Sequence, residues 1–146
     1  MKVIVTGAAG FIGFHLCLKL ISSGYDVLGI DNLNDAYEVD LKKNRLKILE
    51  KKGLSFKKID INQLETQKEK ADVLINLAAQ AGVRLNLKRH INYLESNVSG
   101  FHSVINFCKN NKIKNMIYAS SSSVYDDESD IPFCEGITAL KPKSFY

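Results

Sequence analysis

A chain of 146 residues with 45% hydrophobic and 25% charged side chains falls in the ordinary soluble globular class, with material for one packed core and not two. The formal charge of +4 comes from scattered lysines without interleaved aromatics, which argues for solvated helix faces and against a nucleic-acid partner. No run approaches the roughly 20 apolar residues of a membrane span, and the apolar start lacks a cleavage site, so a cytoplasmic chain with no membrane partner is expected.

In chain order, short runs rich in Val, Ile, Leu and Phe predict strands over 2–6, 26–30, 55–59, 73–77 and 115–119. Their scarcity of polar alternates is that of strands buried on both faces of a parallel sheet. Helices are predicted between them over 11–23, 39–52, near 63–70 and from about 91 to 110. Gly24 and Gly53 fall just past two of these helices, at the left-handed position that closes a helix. The run "LKKNRLKILEKKG" in the second helix reads as a solvated basic face. After Ala119 the composition turns to serines, acids and both prolines of the chain, with no clear helix. Strand and helix in alternation predict consecutive βαβ units, hence a doubly wound α/β fold. Cys17, Cys108 and Cys134 are odd in number and without a CxxC, which suggests neither a disulfide framework nor a metal site. Asn97-Val98-Ser99 matches a glycosylation acceptor, but without an export signal the match is read as chance.

The strongest motif is "VIVTGAAGFIG", a strand running into Gly7, Gly10 and Gly13 with an apolar helix after it. Gly7 permits the tight turn, Gly10 lets a diphosphate approach the backbone, and Gly13 lets the helix pack closely on the strand. The helix start at Phe11 and Ile12 offers free N–H groups and the positive end of the helix dipole to phosphates. Asp31 follows Gly13 by 18 residues, near the usual spacing of about 20 for a ribose-binding acid, with Asn32 beside it. A carboxylate there accepts from the adenosine 2′- and 3′-hydroxyls and repels a 2′-phosphate, favouring NAD over NADP. Asp60, with Ile61 next to it, is a candidate for the adenine end or for an ordinary loop or cap role.

With "TGAAGFIG", "DNLNDAYEVDLKKNRL", "LAAQAGVR" and "YASSSSVY" in this order, the chain resembles the extended short-chain dehydrogenase/reductase family. Within it the chain is most similar to nucleotide-sugar epimerases of the UDP-glucuronate 4-epimerase type, often found with bacterial capsule synthesis. The resemblance covers nearly all of the chain but only the N-terminal part of the family's domain arrangement. It implies a Rossmann-like NAD-binding domain over 1–146, an NAD cofactor held through each cycle, and a UDP-uronate substrate. It further implies Ser121 and Tyr146 as catalytic groups, the tyrosine taking the 4-hydroxyl proton while hydride moves from carbon 4. Ser122 and Ser123 either assist at the sugar or satisfy the loop backbone. Ala78, Ala79 and Asn97 are implied at the cofactor, and Gly82 and Arg84 at the nucleotide-sugar. Arg84 would pair there with a phosphate or the uronate carboxylate, or else form a surface salt bridge.

The family's tyrosine is followed by a lysine four places later, and this sequence ends at Tyr146. The expectations that follow are a domain cut before the YxxxK helix and the substrate domain, the loss of the helix that family dimers use, and no useful epimerase activity from the chain alone. Asp126 stands where the family usually has glycine after "VY". Two other readings stay open. One is a non-catalytic dinucleotide-binding module. The other is a nucleotide-sugar 4,6-dehydratase, disfavoured because Ser122 and Ser123 occupy the places of its acidic pair.

Overall fold

The computed structural model describes residues 1–80, 82, 90–125 and 132–135. Five parallel strands, β1 (Lys2–Thr6), β2 (Asp26–Asp31), β3 (Ser55–Lys58), β4 (Val73–Asn76) and β5 (Asn115–Tyr118), form one sheet in the order β3-β2-β1-β4-β5. The chain moves outward from β1 to β3 and then crosses back to the far side of β1 with β4. The carboxyl ends of β1 and β4 therefore open a crevice at a topological switch point.

Alternation along β1 divides the core in two. Ile4 faces a cluster with Leu28, Leu74 and Phe107, while Val3 and Val5 face Cys17, Val27 and Leu49 on the other side of the sheet. Helices α1 (Phe11–Ser22) and α2 (Val39–Lys51) cover the second face. The first is covered by α4 (Gly100–Asn110) and a 3₁₀ helix, Ile61–Thr66. Each fully buried side chain of this size contributes about 1.5–3 kcal/mol of transfer free energy, so the central strands anchor the fold. The edge strands depart from the expectation of burial on both faces. In β5, Ile117 and Tyr118 are exposed, because β5 pairs only with β4 among the described residues.

Helix ends follow the glycines. Gly24 and Gly53 have φ of +82° and +100°, and both close Schellman motifs. Gly24 N–H donates to Ile21 and Tyr25 N–H to Leu20, while Gly53 and Leu54 N–H donate to Glu50 and Leu49. A third such motif ends α4, where Lys112 takes φ +57° and Ile113 N–H donates to Cys108.

Two predicted helices differ from the sequence reading. The one placed near 63–70 is the 3₁₀ helix Ile61–Thr66, because Asp60 caps it by accepting from Asn62 N–H at 2.9 Å. The long helix over 91–110 comprises α3 (His90–Tyr93), a π-helical turn (Leu94–Ser99) and α4. The segment read as having no helix holds a 3₁₀ turn at Ser122–Val124. Among the described residues no helix is long and apolar enough to cross a membrane, and no group of three His, Cys, Asp or Glu side chains is placed to hold a metal ion.

Candidate functional site

At the carboxyl edge of β1, β2 and β4 lies a cleft of about 360 Å³. Gly7, Gly10, Phe11, Ile12, Gly13, Asp31, Asn32, Ile61, Ala78 and Ala79, all expected at a cofactor, line it. Gly7 turns the chain at φ +69°, and a Cβ there would stand 2.9 Å from Ala78 N. Gly10 is the N-cap of α1 and makes no side-chain cap bond. The first donor into the helix is Phe14 N–H, to the Gly10 carbonyl at 3.0 Å, so the preceding N–H groups have no acceptor in the helix. A bare backbone with unmet donors and a positive dipole end is suited to an anion.

The second wall starts from Asp31, the last residue of β2. It is buried, and its carboxylate accepts from Ala9 N–H at 3.1 Å and Leu33 N–H at 2.8 Å. One acid thus ties the glycine turn to the loop after β2. Asparagines continue that loop: Asn34 N–H donates to Asn32 Oδ1 at 3.0 Å, and Asn32 Nδ2 donates to Asp60 Oδ2 at 2.8 Å. Leu33 is held at φ +54° in the middle of this series. Burial alone would push the Asp60 carboxyl up, but the hydrogen bonds from Asn32 and from both amides of Asn62 hold it below the usual range. Asp60 does not line the cleft; it caps the 3₁₀ helix and accepts from Asn32, which does.

Where β1 and β4 part, the buried Thr6 hydroxyl donates to Asn76 Oδ1 at 2.6 Å and accepts from Leu77 and Ala78 N–H at 3.2 Å each. Ala78 is thereby fixed at the cleft. Asn97 does not line the cleft. Its amide clamps the backbone of Gln80, accepting from the N–H at 2.8 Å and donating to the carbonyl at 3.3 Å. The π-helical turn brings its neighbour Ser96 to the cleft instead. Ser121 is half-buried just past Ala119, which lines the cleft, and its carbonyl accepts from Val124 N–H at 3.2 Å. Ser122 is exposed, and Ser123 falls in the same 3₁₀ turn. Gly82 has φ +98°, and its carbonyl accepts from Tyr93 Oη. Arg84, Asp126 and Tyr146 lie outside the described residues.

The sequence reading missed Asn34, Tyr37 and Lys42, all of which line the cleft. Lys42 corrects the solvated-face reading of α2: it is buried at 5% exposure. Its Nζ donates to Asn34 Oδ1 at 2.6 Å and to the Asn34 carbonyl at 3.0 Å, and lies 4.6 Å above the Tyr37 ring. The signal was present in the spacing, since Lys42 shares a helix face with Leu46 and Leu49, the side that meets the core. Burial pulls the Lys42 ammonium below its usual value against the opposing charges of Asp31 and Asp35. Burial also raises the Tyr37 phenol, opposed by the charge of Arg45. Arg45 donates to Tyr37 Oη at 3.1 Å, and Tyr37 donates to the Ala9 carbonyl at 3.4 Å, closing α2 onto the glycine turn.

Residues 3–146 match the model of the NAD dependent epimerase/dehydratase family. The chain belongs to that family. Similar members include protein CapI of Staphylococcus aureus, 41% identical over 100% of this chain and 45% of the relative. UDP-glucuronate 4-epimerase 2 of Arabidopsis thaliana is 40% identical over 100% of this chain and 35% of the relative. Among solved structures of the family, a mutant UDP-glucuronic acid 4-epimerase from Bacillus cereus, in complex with UDP-4-deoxy-4-fluoro-glucuronic acid and NAD, superposes with a TM-score of 0.89. It is 35% identical and covers 99% of this chain and 47% of that one. This family member thus spans less than half the length of each of these three relatives.

Proposed function

We propose that residues 1–146 are the NAD-binding domain of a nucleotide-sugar 4-epimerase that interconverts UDP-glucuronate and UDP-galacturonate. The observation that carries the NAD reading is Asp31. Each carboxylate oxygen accepts one backbone N–H, and a carboxylate has about four lone-pair sites, so lone pairs remain for ribose hydroxyls. A 2′-phosphate in the same place would meet a buried like charge. The bare turn of Gly7, Gly10 and Gly13 fits a diphosphate on the α1 N-terminus, and Ala78 and Ala79 fit the cofactor's passage across the switch point.

NAD, when bound, would supply a reversible hydride acceptor for carbon 4 of the sugar. The chain's own residues hold and deprotonate that sugar. Ser121 hydrogen-bonds the 4-oxygen, and Tyr146 takes the 4-hydroxyl proton. Gly82, Ser122 and Ser123 lie along the sugar, and Arg84 pairs with a phosphate or the uronate carboxylate. The likeness to UDP-glucuronate 4-epimerases at about 40% identity supports the uronate among UDP-sugars.

Calorimetric titration tests the reading. Saturable NAD binding is expected, with NADP markedly weaker, and Asp31→Ala lowers NAD affinity about 10–100-fold, the range of charged hydrogen bonds. A folded chain that does not bind NAD sinks the proposal. Joined to the C-terminal part that its relatives carry, the NAD-saturated protein is expected to bind UDP-glucuronate better than UDP-glucose; the reverse order would return the substrate to the other UDP-sugars.

A further inference from the structure

A ribose hydroxyl is both a donor and an acceptor, and the acid at the end of β2 can satisfy only half of it. Asp31, ionised, accepts hydroxyl protons and donates nothing. Beside Asp31 and Lys42, which are buried in the cleft wall, a hydroxyl oxygen without a donor loses a hydrogen bond it had in water. Three features identify a donor for that place. Lys42 is buried in α2 and lines the same cleft as Asp31. Its ammonium has three N–H groups, of which Asn34 engages two. The side chain is also fixed from a second direction by the Tyr37 ring, 4.6 Å from Nζ, so little conformational freedom is left to lose on binding. The opposing charge of Asp31 acts on this ammonium across the cleft.

We propose that Lys42 is the second ribose-binding group of the site: Asp31 accepts the hydroxyl protons of the adenosine ribose, and Lys42 donates to a hydroxyl oxygen. The inference rests on the NAD-binding reading above and names the group that completes it. Asn34 is then a positioning residue that aims the ammonium. Burying a lysine at the end of a cofactor cleft has a purpose in this arrangement that a solvated lysine on α2 would not serve.

The test is calorimetric titration of the full chain with NAD and with its analogues lacking the adenosine 2′- or 3′-hydroxyl. Wild type is expected to bind one of the two deoxy analogues about 10-fold more weakly than NAD. Lys42→Met is expected to lose about 10-fold for NAD and to lose nothing further with that analogue. Lys42→Arg, which keeps the charge and the donors, should recover most of the affinity. Thermal melts show that each variant is folded, and Lys42→Gln is read the same way if the methionine variant is not. Equal weakening of NAD and both analogues in Lys42→Met would mean that the residue only shapes the loop, which overturns the proposal. So would unchanged NAD affinity. Absence of NAD binding by wild type removes the underlying reading as well, which separates the two failures.

Discussion

Gly13→Ala probes the closest packing in the site. Gly13 sits in the first turn of α1, directly over the glycine turn. A Cβ there would lie 2.9 Å from the Gly7 carbonyl carbon and 3.0 Å from Ala8 Cα, and closer still to the Gly7 carbonyl oxygen. All three neighbours are backbone and cannot rotate away. Alanine is otherwise the better helix residue by about 1 kcal/mol. Overpacking costs about 1–3 kcal/mol where neighbours can give, and more where they cannot. The clash wins, and a net loss of about 2 kcal/mol or more follows. For a chain of this size that is a fall of about 4–8 °C in Tm. Gly24→Ala is the internal comparison. Nothing lies within 4 Å of a Cβ at Gly24, so only the left-handed backbone, φ +82°, resists it, at about 1 kcal/mol. Urea unfolding of both variants, with NAD titration, measures the difference. A Gly13→Ala chain as stable as wild type, or less affected than Gly24→Ala, would refute the close-packing account of the motif.

Other outcomes follow from single groups. Thr6→Val leaves Asn76 Oδ1 and the Ala78 N–H without their partner at a buried junction, so a loss of about 2–4 kcal/mol in urea unfolding is expected; a neutral substitution would show that the hydroxyl is not what joins β1 to β4. Lys112→Gly relieves a left-handed residue at the end of α4 and should raise stability by about 0.5–1 kcal/mol, with any decrease counting against the Schellman reading there. Hydrogen bonds from Lys57 and Lys2 hold Glu69 below its ordinary value of 4.5, with Lys57 the larger cause. A carboxyl depressed in the folded state binds fewer protons than in the unfolded one. Its contribution is therefore complete above the unfolded value and is lost as pH falls through the folded one. Glu69→Gln should flatten the stability profile below about pH 4.5, and an unchanged acid profile would remove Glu69 from the account.

The parts of the molecule that sequence reveals are those where one residue type meets one local demand. A left-handed helix end asks for glycine, and Gly24 and Gly53 mark α1 and α2 for that reason. Lys112 does the same work without the glycine, so the motif it closes carries no such mark. Central strands buried on both faces, such as β1, leave an unbroken apolar run, and the predicted span 2–6 coincides with Lys2–Thr6. What the sequence leaves unread depends on neighbours distant along the chain. A lysine in a basic run looks solvated until the fold seats α2 against the loop after β2. Asn97 has the polarity of a ligand contact, and only the π-helical turn decides that its amide meets Gln80 while Ser96 faces the cleft.

The cleft itself divides along the same line. Its end at the glycine turn is built of backbone, where the requirement is that side chains be missing. Its end at the loop after β2 is a hydrogen-bonded series, from the Lys42 ammonium to Asn34, from the Asn34 backbone N–H to Asn32, and from the Asn32 amide to Asp60, with Asp31 accepting from Leu33 N–H. The two ends meet at one bond, Ala9 N–H to Asp31. It follows that Asp31 cannot be exchanged for nucleotide preference alone. Alanine there removes the charge that repels a 2′-phosphate, but it also leaves the Ala9 and Leu33 N–H groups unmet and frees Leu33 from the contact that holds its left-handed backbone. An asparagine keeps one acceptor and half of that anchorage. A change of preference toward NADP in this fold therefore requires an acceptor retained at position 31 together with a cation gained beside it.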